Sequence, residues 1–258
     1  MVQLEPRQFD RVAHLFDDDL PNRPMLESVL ADRNPGWVFA DREDRPTVAI
    51  VVSHYSYTYL GGWPERGLLD FALARATPVS DPLVIWWPDT APGPPSLIPG
   101  GHTVDRIEFT QLVPTWKAPL RPPGGVTLQP MTLSLLEQCL WKDEVLADCG
   151  SLERFLDIGF GVCGVIDGRV VSEAYASVPG DRAYEIGPIV HPEFRRRGLA
   201  YATCATLIDE CRHRTRETIW SCGRGNDASA RLARKLGYQS ERAYRFWQLS
   251  RAAAGGPG

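Results

Sequence analysis

Hydrophobic residues recur at helical spacing in the first part of the chain and then give way to short apolar runs. The spacing within 9–16 and again within 25–30, with prolines between them, predicts two helices. The later pattern predicts two strands, a helix and two further strands, expected at 37–40, 47–59, 68–76, 83–87 and 104–113. Residues 1–115 are therefore predicted to form an α/β lobe of their own.

A Pro/Gly-rich stretch at 116–125 follows this lobe and is the predicted linker. From 126 to 250 the pattern predicts a strand, a helix over 133–146, a short helix, a hairpin, a strand, a long helix, a strand, a helix and a final pair of strands. The hairpin is indicated by Asp167-Gly168 between two apolar runs, because this dipeptide favours a tight hairpin turn. The tail at 251–258 is predicted to be disordered.

Composition narrows the class of protein. The net charge of −4 and a pI near 5.8 disfavour a general nucleic-acid binder. No run approaches the ~18–20 uninterrupted apolar residues of a membrane span. The N-terminus carries acidic residues instead of the basic and apolar pattern of a signal peptide. These features predict a soluble, cytoplasmic protein with no nucleic-acid and no membrane partner.

The six cysteines all lie in the second half of the chain. None forms a CxxC pair and no histidine follows at zinc-like spacing, so no metal is predicted. Cys204 and Cys211 are seven residues apart, which places them on one side of a helix. We expect both to be buried as small apolar residues.

The segment EIGPIVHPEFRRRGLA, residues 185–200, carries the strongest chemical signal. An apolar strand runs into a turn, then into Arg195-Arg196-Arg197-Gly198 and a helix. A helix start presents free backbone N–H groups to an anion, and glycine lets the backbone approach a ligand closely. From Glu185 onward there are 13 Lys or Arg against 7 Asp or Glu, so this part is basic within an acidic chain. The segment predicts a pyrophosphate cradle. It is neither a Walker motif nor GxGxxG, which disfavours ATP and NAD.

RRRGLA also resembles the Arg/Gln-x-x-Gly-x-Gly/Ala signature of the GNAT superfamily of N-acetyltransferases. A second GNAT-like signature is TIWSCGRGNDASARLARKLGY, with Asn226, Ser229 and Leu-Gly-Tyr at 236–238. The element order over 126–249 is similar to the GNAT core. Together these motifs resemble the branch of zwittermicin A resistance-like acetyltransferases, whose members carry an additional N-terminal lobe. The expected fold class is thus α/β of the mixed α+β kind: a GNAT acyl-CoA N-acyltransferase core in the C-terminal half, over 126–250, with an N-terminal α/β lobe.

The resemblance implies acetyl-CoA as co-substrate and assigns its binding residues. The pantetheine arm would pair with the strand at Ile189 and Val190, which Pro188 helps to open because proline cannot donate to a ladder. Backbone amides of the helix start would hold the pyrophosphate, and Asn226 would contact the pantetheine, cap its own helix, or do both. The implied cofactor-binding set is Ile189, Val190, Arg195, Arg196, Arg197, Gly198, Leu199, Ala200, Asn226 and Ser229.

Acetyl transfer to an amine needs a base that removes a proton from the ammonium group. Glu185 opens an otherwise apolar strand, at the position where many GNAT enzymes place this carboxylate. The alternative for Glu185 is a solvated strand-end charge or a structural ion pair. Glu173 is the second candidate. The tyrosine that commonly protonates the leaving thiolate is replaced by Ala233. Neither Tyr238 nor Tyr244 is in register, and core packing is their expected role.

Three functions remain open at this point. The leading one is an acetyl-CoA-dependent N-acetyltransferase acting on a small-molecule amine, for which the acidic remainder of the chain favours a cationic acceptor. The absent tyrosine keeps a non-catalytic acyl-CoA sensor in contention, whereas Glu185 argues against it. A protein N-acetyltransferase would need an open groove. The sequence specifies neither the acceptor nor the oligomeric state, since fold does not determine the substrate.

Overall fold

A computed structural model of the chain describes residues 1–78, 80–85, 101–113, 122, 124–214 and 216–249. The fold is mixed α/β, as predicted. The chain divides into two compact units, unit 1 with residues 1–106 and 243–258, and unit 2 with residues 107–242. Among the helices of the described residues, none is both long enough and apolar enough to cross a membrane.

Unit 1 is a sheet with helices, and its strand order is β1-β2-β3-β4-β5-β12. Its strands are β1 (Val2–Leu4), β2 (Gly36–Ala40), β3 (Ala49–Ser53), β4 (Tyr57–Gly61), β5 (Leu83–Ile85) and the end of β12 (Tyr238–Gln248). Adjacent strands are antiparallel except β4 and β5, which are parallel. A 3-10 helix (Pro6–Leu15), α1 (Arg23–Leu30) and α2 (Arg66–Leu73) complete the unit. Every residue of β3 is buried, as expected of a central strand covered on both faces.

Unit 2 also has four antiparallel strands followed by a helix and a strand that pairs parallel with the fourth. Its strands are the end of β6 (His102–Leu112), β7 (Thr127–Pro130), β8 (Phe160–Ile166), β9 (Arg169–Pro179), β10 (Ala183–Val190), β11 (Glu217–Gly223) and the start of β12. Strands β7 to β10 pair antiparallel in chain order, and β10 pairs parallel with β11. The helices are α3 (Leu133–Leu136), α4 (Lys142–Cys149), α5 (Leu152–Ile158), α6 (Leu199–His213) and α7 (Asp227–Leu236).

Strand β6 lies between β11 and β12 in the sheet order, although it precedes the whole of unit 2 in the chain. Its Phe109 is fully buried in the core cluster that contains Trp220 and Ala233. The buried Glu108 carboxylate forms an ion pair with Arg242 of β12. These contacts explain why the compact units divide at 106, whereas the sequence pattern predicts a lobe boundary at 115.

Most of the predicted elements are confirmed within a few residues, but the segment expected as one strand at 47–59 forms two strands, β3 and β4. The hairpin turn at Asp167-Gly168 has positive φ at both residues, 48° and 78°, as a type I′ turn requires. The expected helix over 133–146 is wrong, because it is interrupted between α3 and α4. The expected final pair of strands is one continuous strand, β12. The tail at 251–258, and all of the predicted linker except residues 122, 124 and 125, lie outside the described residues.

Candidate active site

A cleft opens in unit 2 where two parallel strands separate. The ladder between β10 and β11 ends at the pair Glu185–Ile219. Strand β10 continues to Val190 and remains paired with β9 on its other side, with a register shift between Glu185 and Ile186. The β11 side of the segment containing Ile189 and Val190 therefore lies beyond the ladder. A ligand strand can hydrogen bond to backbone groups at such an edge.

The turn after β10 leads directly into the start of α6. Arg196 and Gly198 have positive φ, 61° and 81°, and Gly198 is the N-cap of the helix. Within the described residues no side chain caps this helix start. The first-turn amides, including those of Leu199 and Ala200, have no partner one turn earlier in the helix, and they lie at the positive end of the helix dipole. This is the geometry predicted for an anion cradle.

The separated strands and the helix start enclose a cavity of about 880 Å³. It contains nine of the ten cofactor residues that the resemblance implies: Ile189, Val190, Arg195, Arg196, Gly198, Leu199, Ala200, Asn226 and Ser229. Four basic side chains line it and no acidic side chain is among its described lining residues. The cavity therefore suits an extended ligand with an anionic end.

The tenth predicted residue, Arg197, does not line the cavity. Its guanidinium donates to the carbonyl oxygen of Glu193, 3.1 Å away, and lies 5.0 Å from the ring centroid of Phe194. Arg195 lines the cavity and also donates to the carbonyl oxygen of Val190, at 3.2 Å. These two arginines thus brace the turn, one on each side of Arg196.

Asn226 and Ser229 begin helix α7. The Asn226 side-chain oxygen accepts a hydrogen bond from the Ser229 amide at 3.1 Å, so Asn226 is an N-cap that also lines the cavity. The Ser229 hydroxyl accepts a hydrogen bond from the indole N–H of Trp220 at 2.9 Å. Trp220 is buried at the cleft, one residue after the last β10–β11 pair. The second motif therefore holds this tryptophan in the cavity wall.

Glu185 is half-buried and belongs to the last residue pair of the β10–β11 ladder, where the two strands begin to separate, but it is not among the described lining residues of the cavity. The neighbouring Tyr184 and Ile186 both pack into the core cluster that contains α6. Because side chains alternate along a strand, Glu185 faces the opposite side of the sheet. Burial raises the pKa of the Tyr175 phenol, and the charge of Glu173 and, to a smaller extent, that of Glu185 act in the same direction.

Glu173 lies on the neighbouring strand, opposite Ile189 in the β9–β10 ladder, and is 2% exposed. Its two carboxylate oxygens accept hydrogen bonds from the backbone amides of Leu140 and Trp141, each at 3.0 Å. Burial raises the pKa of this carboxyl group, and the two amides and the Cys139 thiol act in the opposite direction. The two predicted acid–base candidates therefore have different surroundings, one at the end of the β10–β11 ladder and one beneath a loop.

The aromatic and sulfur positions agree with the expected packing. Ala233 and Tyr238 are buried, and the Tyr238 hydroxyl lies 2.6 Å from the hydroxyl of Thr218. Cys204 and Cys211 are fully buried, as predicted, and burial raises the pKa of the Cys211 thiol to about 12. In the described part of the chain, no group of His, Cys, Asp and Glu has an arrangement that could hold a metal ion.

Seven lining residues of the cavity were not identified from the sequence: Phe194, Tyr201, Trp220, Ala228, Arg231, Leu232 and Lys235. Arg231 and Lys235 are four residues apart on α7 and so share one face of it, which was an available signal. The Lys235 ammonium lies 4.9 Å from the ring centroid of Tyr201 on α6. This contact requires the packing of two helices and has no local signature.

Residues 109–247, more than half of the chain, match the model of the GNAT acetyltransferase family. The chain belongs to the GNAT acetyltransferase family. The identification from the two motifs is thereby confirmed. Membership supports acetyltransferase activity, and GNAT proteins use acetyl-CoA. The family match begins at Phe109, within β6, which agrees with the place of that strand in unit 2.

Relatives of this GNAT protein extend the likeness to nearly the whole chain. An uncharacterised N-acetyltransferase of Bacillus subtilis (strain 168), YdfB, is 22% identical over 262 residues, which cover 96% of this chain and 98% of the relative. The crystal structure of a GCN5-related N-acetyltransferase-like protein from Streptococcus suis 89/1591 has a TM-score of 0.69 and 24% identity, over 95% and 99% of the two chains. A tandem GNAT protein from the clavulanic acid biosynthesis pathway has a TM-score of 0.56 and 12% identity, over 100% and 99%.

Proposed function

We propose that this protein is an acetyl-CoA-dependent N-acetyltransferase that acts on the amine of a small molecule. The observation that carries the proposal is the cavity in unit 2. One wall of it is a strand edge beyond its ladder, and one end is a helix start with a left-handed glycine and four nearby cations. This combination suits a long ligand whose pantetheine part binds a strand edge and whose pyrophosphate binds backbone amides.

Each part of the site has a defined task in this proposal. The β10 backbone at Ile189 and Val190 would hold the pantetheine, and the amides from Gly198 to Ala200 would hold the pyrophosphate, with Arg196 beside them. Acetyl-CoA would supply the acetyl group as a thioester. Glu185 would accept the proton that the ammonium group of the acceptor loses, directly or through water.

The experiment measures release of free CoA thiol from acetyl-CoA with a panel of primary amines, together with calorimetric CoA binding. Glu185→Gln retains the size of the side chain and removes its basicity. We expect CoA affinity to be unchanged and the rate to fall by roughly 10²–10⁴-fold, the scale of a lost general base. Glu217→Gln, an exposed strand-end carboxylate on the neighbouring strand, is the matched control and should retain full activity. A Glu185→Gln variant as active as wild type would exclude Glu185 as the base.

A second candidate function is an acyl-CoA sensor without turnover. It is favoured by Ala233, which occupies the position of the usual tyrosine acid and is buried. A thiol has a pKa of about 8.5, so the thiolate can leave with little help from a general acid. The acetyltransferase therefore remains the better proposal. Tight CoA binding with no thiol release for any amine in the panel would favour the sensor.

A further inference from the structure

The amides that the Glu173 carboxylate binds belong to a loop that ends in an aromatic stack. Trp141 is the N-cap of α4, and its ring stacks on Tyr175 with centroids 3.7 Å apart and an interplanar angle of 4°. The rings of Phe155 and Trp141 have a T-shaped arrangement, with centroids 5.8 Å apart and an interplanar angle of 82°. Glu173 binds the amide of Trp141 itself and that of the preceding residue. The carboxylate therefore fixes the backbone from which this ring projects.

This stack lies on the face of the sheet to which Glu185 points. Tyr175 is directly opposite Gly187 in the β9–β10 ladder, so the side-chain positions of these two residues share a face. Glu185 is on that face because its neighbours Tyr184 and Ile186 pack on the other one. A Cβ built on Gly187 would meet no atom within 4 Å. Two residues from the proposed base, the sheet thus has open space at Gly187, next to the strand position of Tyr175.

The surroundings of Glu173 disfavour it as the base. Its oxygens are each engaged by an amide and its side chain is almost fully buried, so an acceptor ammonium has no approach to it. A buried carboxylate that accepts two backbone amides is suited instead to holding a loop in place.

We propose that Glu173 is a positioning residue that holds Trp141 against Tyr175, and that this stack forms one wall of the amine-acceptor site. The inference rests on the proposed function, because it takes Glu185 to mark where the amine is deprotonated. It assigns to the loop before α4 a role in acceptor affinity and leaves proton transfer to Glu185.

The test is steady-state kinetics on the whole protein, with the primary amine that wild type acetylates fastest in the panel. In Glu173→Gln the side chain can accept one of the two amide bonds at most, so the loop loosens. We expect the KM for the amine to rise about five- to tenfold, the scale of one lost aromatic contact. The kcat should stay within about twofold, since uniform binding alone is lost. The acidic limb of the pH–rate profile should not move, because the titrating base is retained.

Three comparisons make the result specific. Trp141→Phe should raise the same KM, and the double variant should raise it no further, because both changes act through one ring. Glu108→Gln alters another buried carboxylate of unit 2, paired with Arg242, and should leave the KM unchanged even if stability falls. The contribution of Trp141 to the near-UV circular dichroism is the difference between the spectra of a protein with Trp141 and of the same protein with Trp141→Phe. This difference should be smaller when both proteins also carry Glu173→Gln.

The outcomes separate the two proposals. If wild type acetylates no amine, the proposed function fails and this inference fails with it. If wild type is active but Glu173→Gln lowers kcat and moves the acidic limb, Glu173 is the base and only the inference is overturned. If Glu173→Gln does not fold, the test rests on the KM of Trp141→Phe for the amine. An unchanged KM in Trp141→Phe overturns the inference.

Discussion

Replacing Gly198 by alanine tests the anion cradle with little change in size. Gly198 has φ of 81° at the N-cap of α6. A residue with a Cβ pays about 1–2 kcal/mol to hold this left-handed conformation. If the backbone relaxes instead, the amides of Leu199 and Ala200 turn away from the cavity, and binding must restore them at the same cost. Because ~1.4 kcal/mol is a factor of ten, CoA affinity should fall by about five- to thirtyfold.

The chain offers a matched control for this variant. Gly168 in the β8–β9 turn has φ of 78°, and a Cβ built there meets no atom within 4 Å. Gly168→Ala should therefore lose about 1–2 kcal/mol of unfolding free energy in a urea titration and retain wild-type CoA affinity by calorimetry. The prediction is refuted if both variants bind CoA as wild type does. If Gly198→Ala also loses no unfolding free energy, the left-handed conformation at this residue carries no cost and the reasoning from it fails.

Two further predictions concern stability. Burial opposes the charge of Asp41, but hydrogen bonds from Thr47, Val48 and Arg42 hold the pKa of this carboxyl well below its usual 3.8. The ionised Asp41 carboxylate therefore stabilises the fold above pH 3.8, and this stabilisation is lost as the pH falls below 3.8. Asp41→Asn should lower the free energy of unfolding by about 1–3 kcal/mol at neutral pH. Urea titrations should show that the difference between the variant and wild type shrinks below pH 3.8. Phe109→Ala removes a fully buried ring from unit 2 and should lower the free energy of unfolding by about 3–5 kcal/mol. It should also lower the temperature up to which the protein binds CoA. If that temperature is unchanged, the assignment of β6 to unit 2 is contradicted.

The parts of the site that could be predicted from the sequence are those specified by a few consecutive residues. RRRGLA combines a turn, a glycine without a side chain and a helix start, and these follow from local backbone chemistry. The capping role of Asn226 and the hairpin at Asp167-Gly168 are equally local. Each of these features was found at the predicted residues.

The features that could not be predicted depend on long-range pairing. The hydrophobic and polar residues of β6 alternate in the same way whichever unit the end of this strand pairs with. The sequence pattern therefore places β6 in the same lobe as the elements that precede it in the chain. Glu173 resembles a candidate base in sequence because it is an acid in an apolar strand. Its partners are the amides of residues 140 and 141, more than thirty residues away, and only the fold brings them to it.

The two units show why topology alone does not make a site. In unit 1 the turn after β4 corresponds in order to the turn after β10 in unit 2. A Cβ at Gly61 would be 2.9 Å from the ring of Phe16, and one at Gly62 would be 2.5 Å from the carbonyl oxygen of Thr47, so this turn is already packed by protein. The helix that follows has Glu65 as its N-cap, an acid at the end where the dipole would attract an anion. Unit 2 has arginines and an open cavity at the same point. The same order of elements therefore yields a turn packed by protein in one half and an anion cradle in the other, and the difference lies in the residues around one helix start.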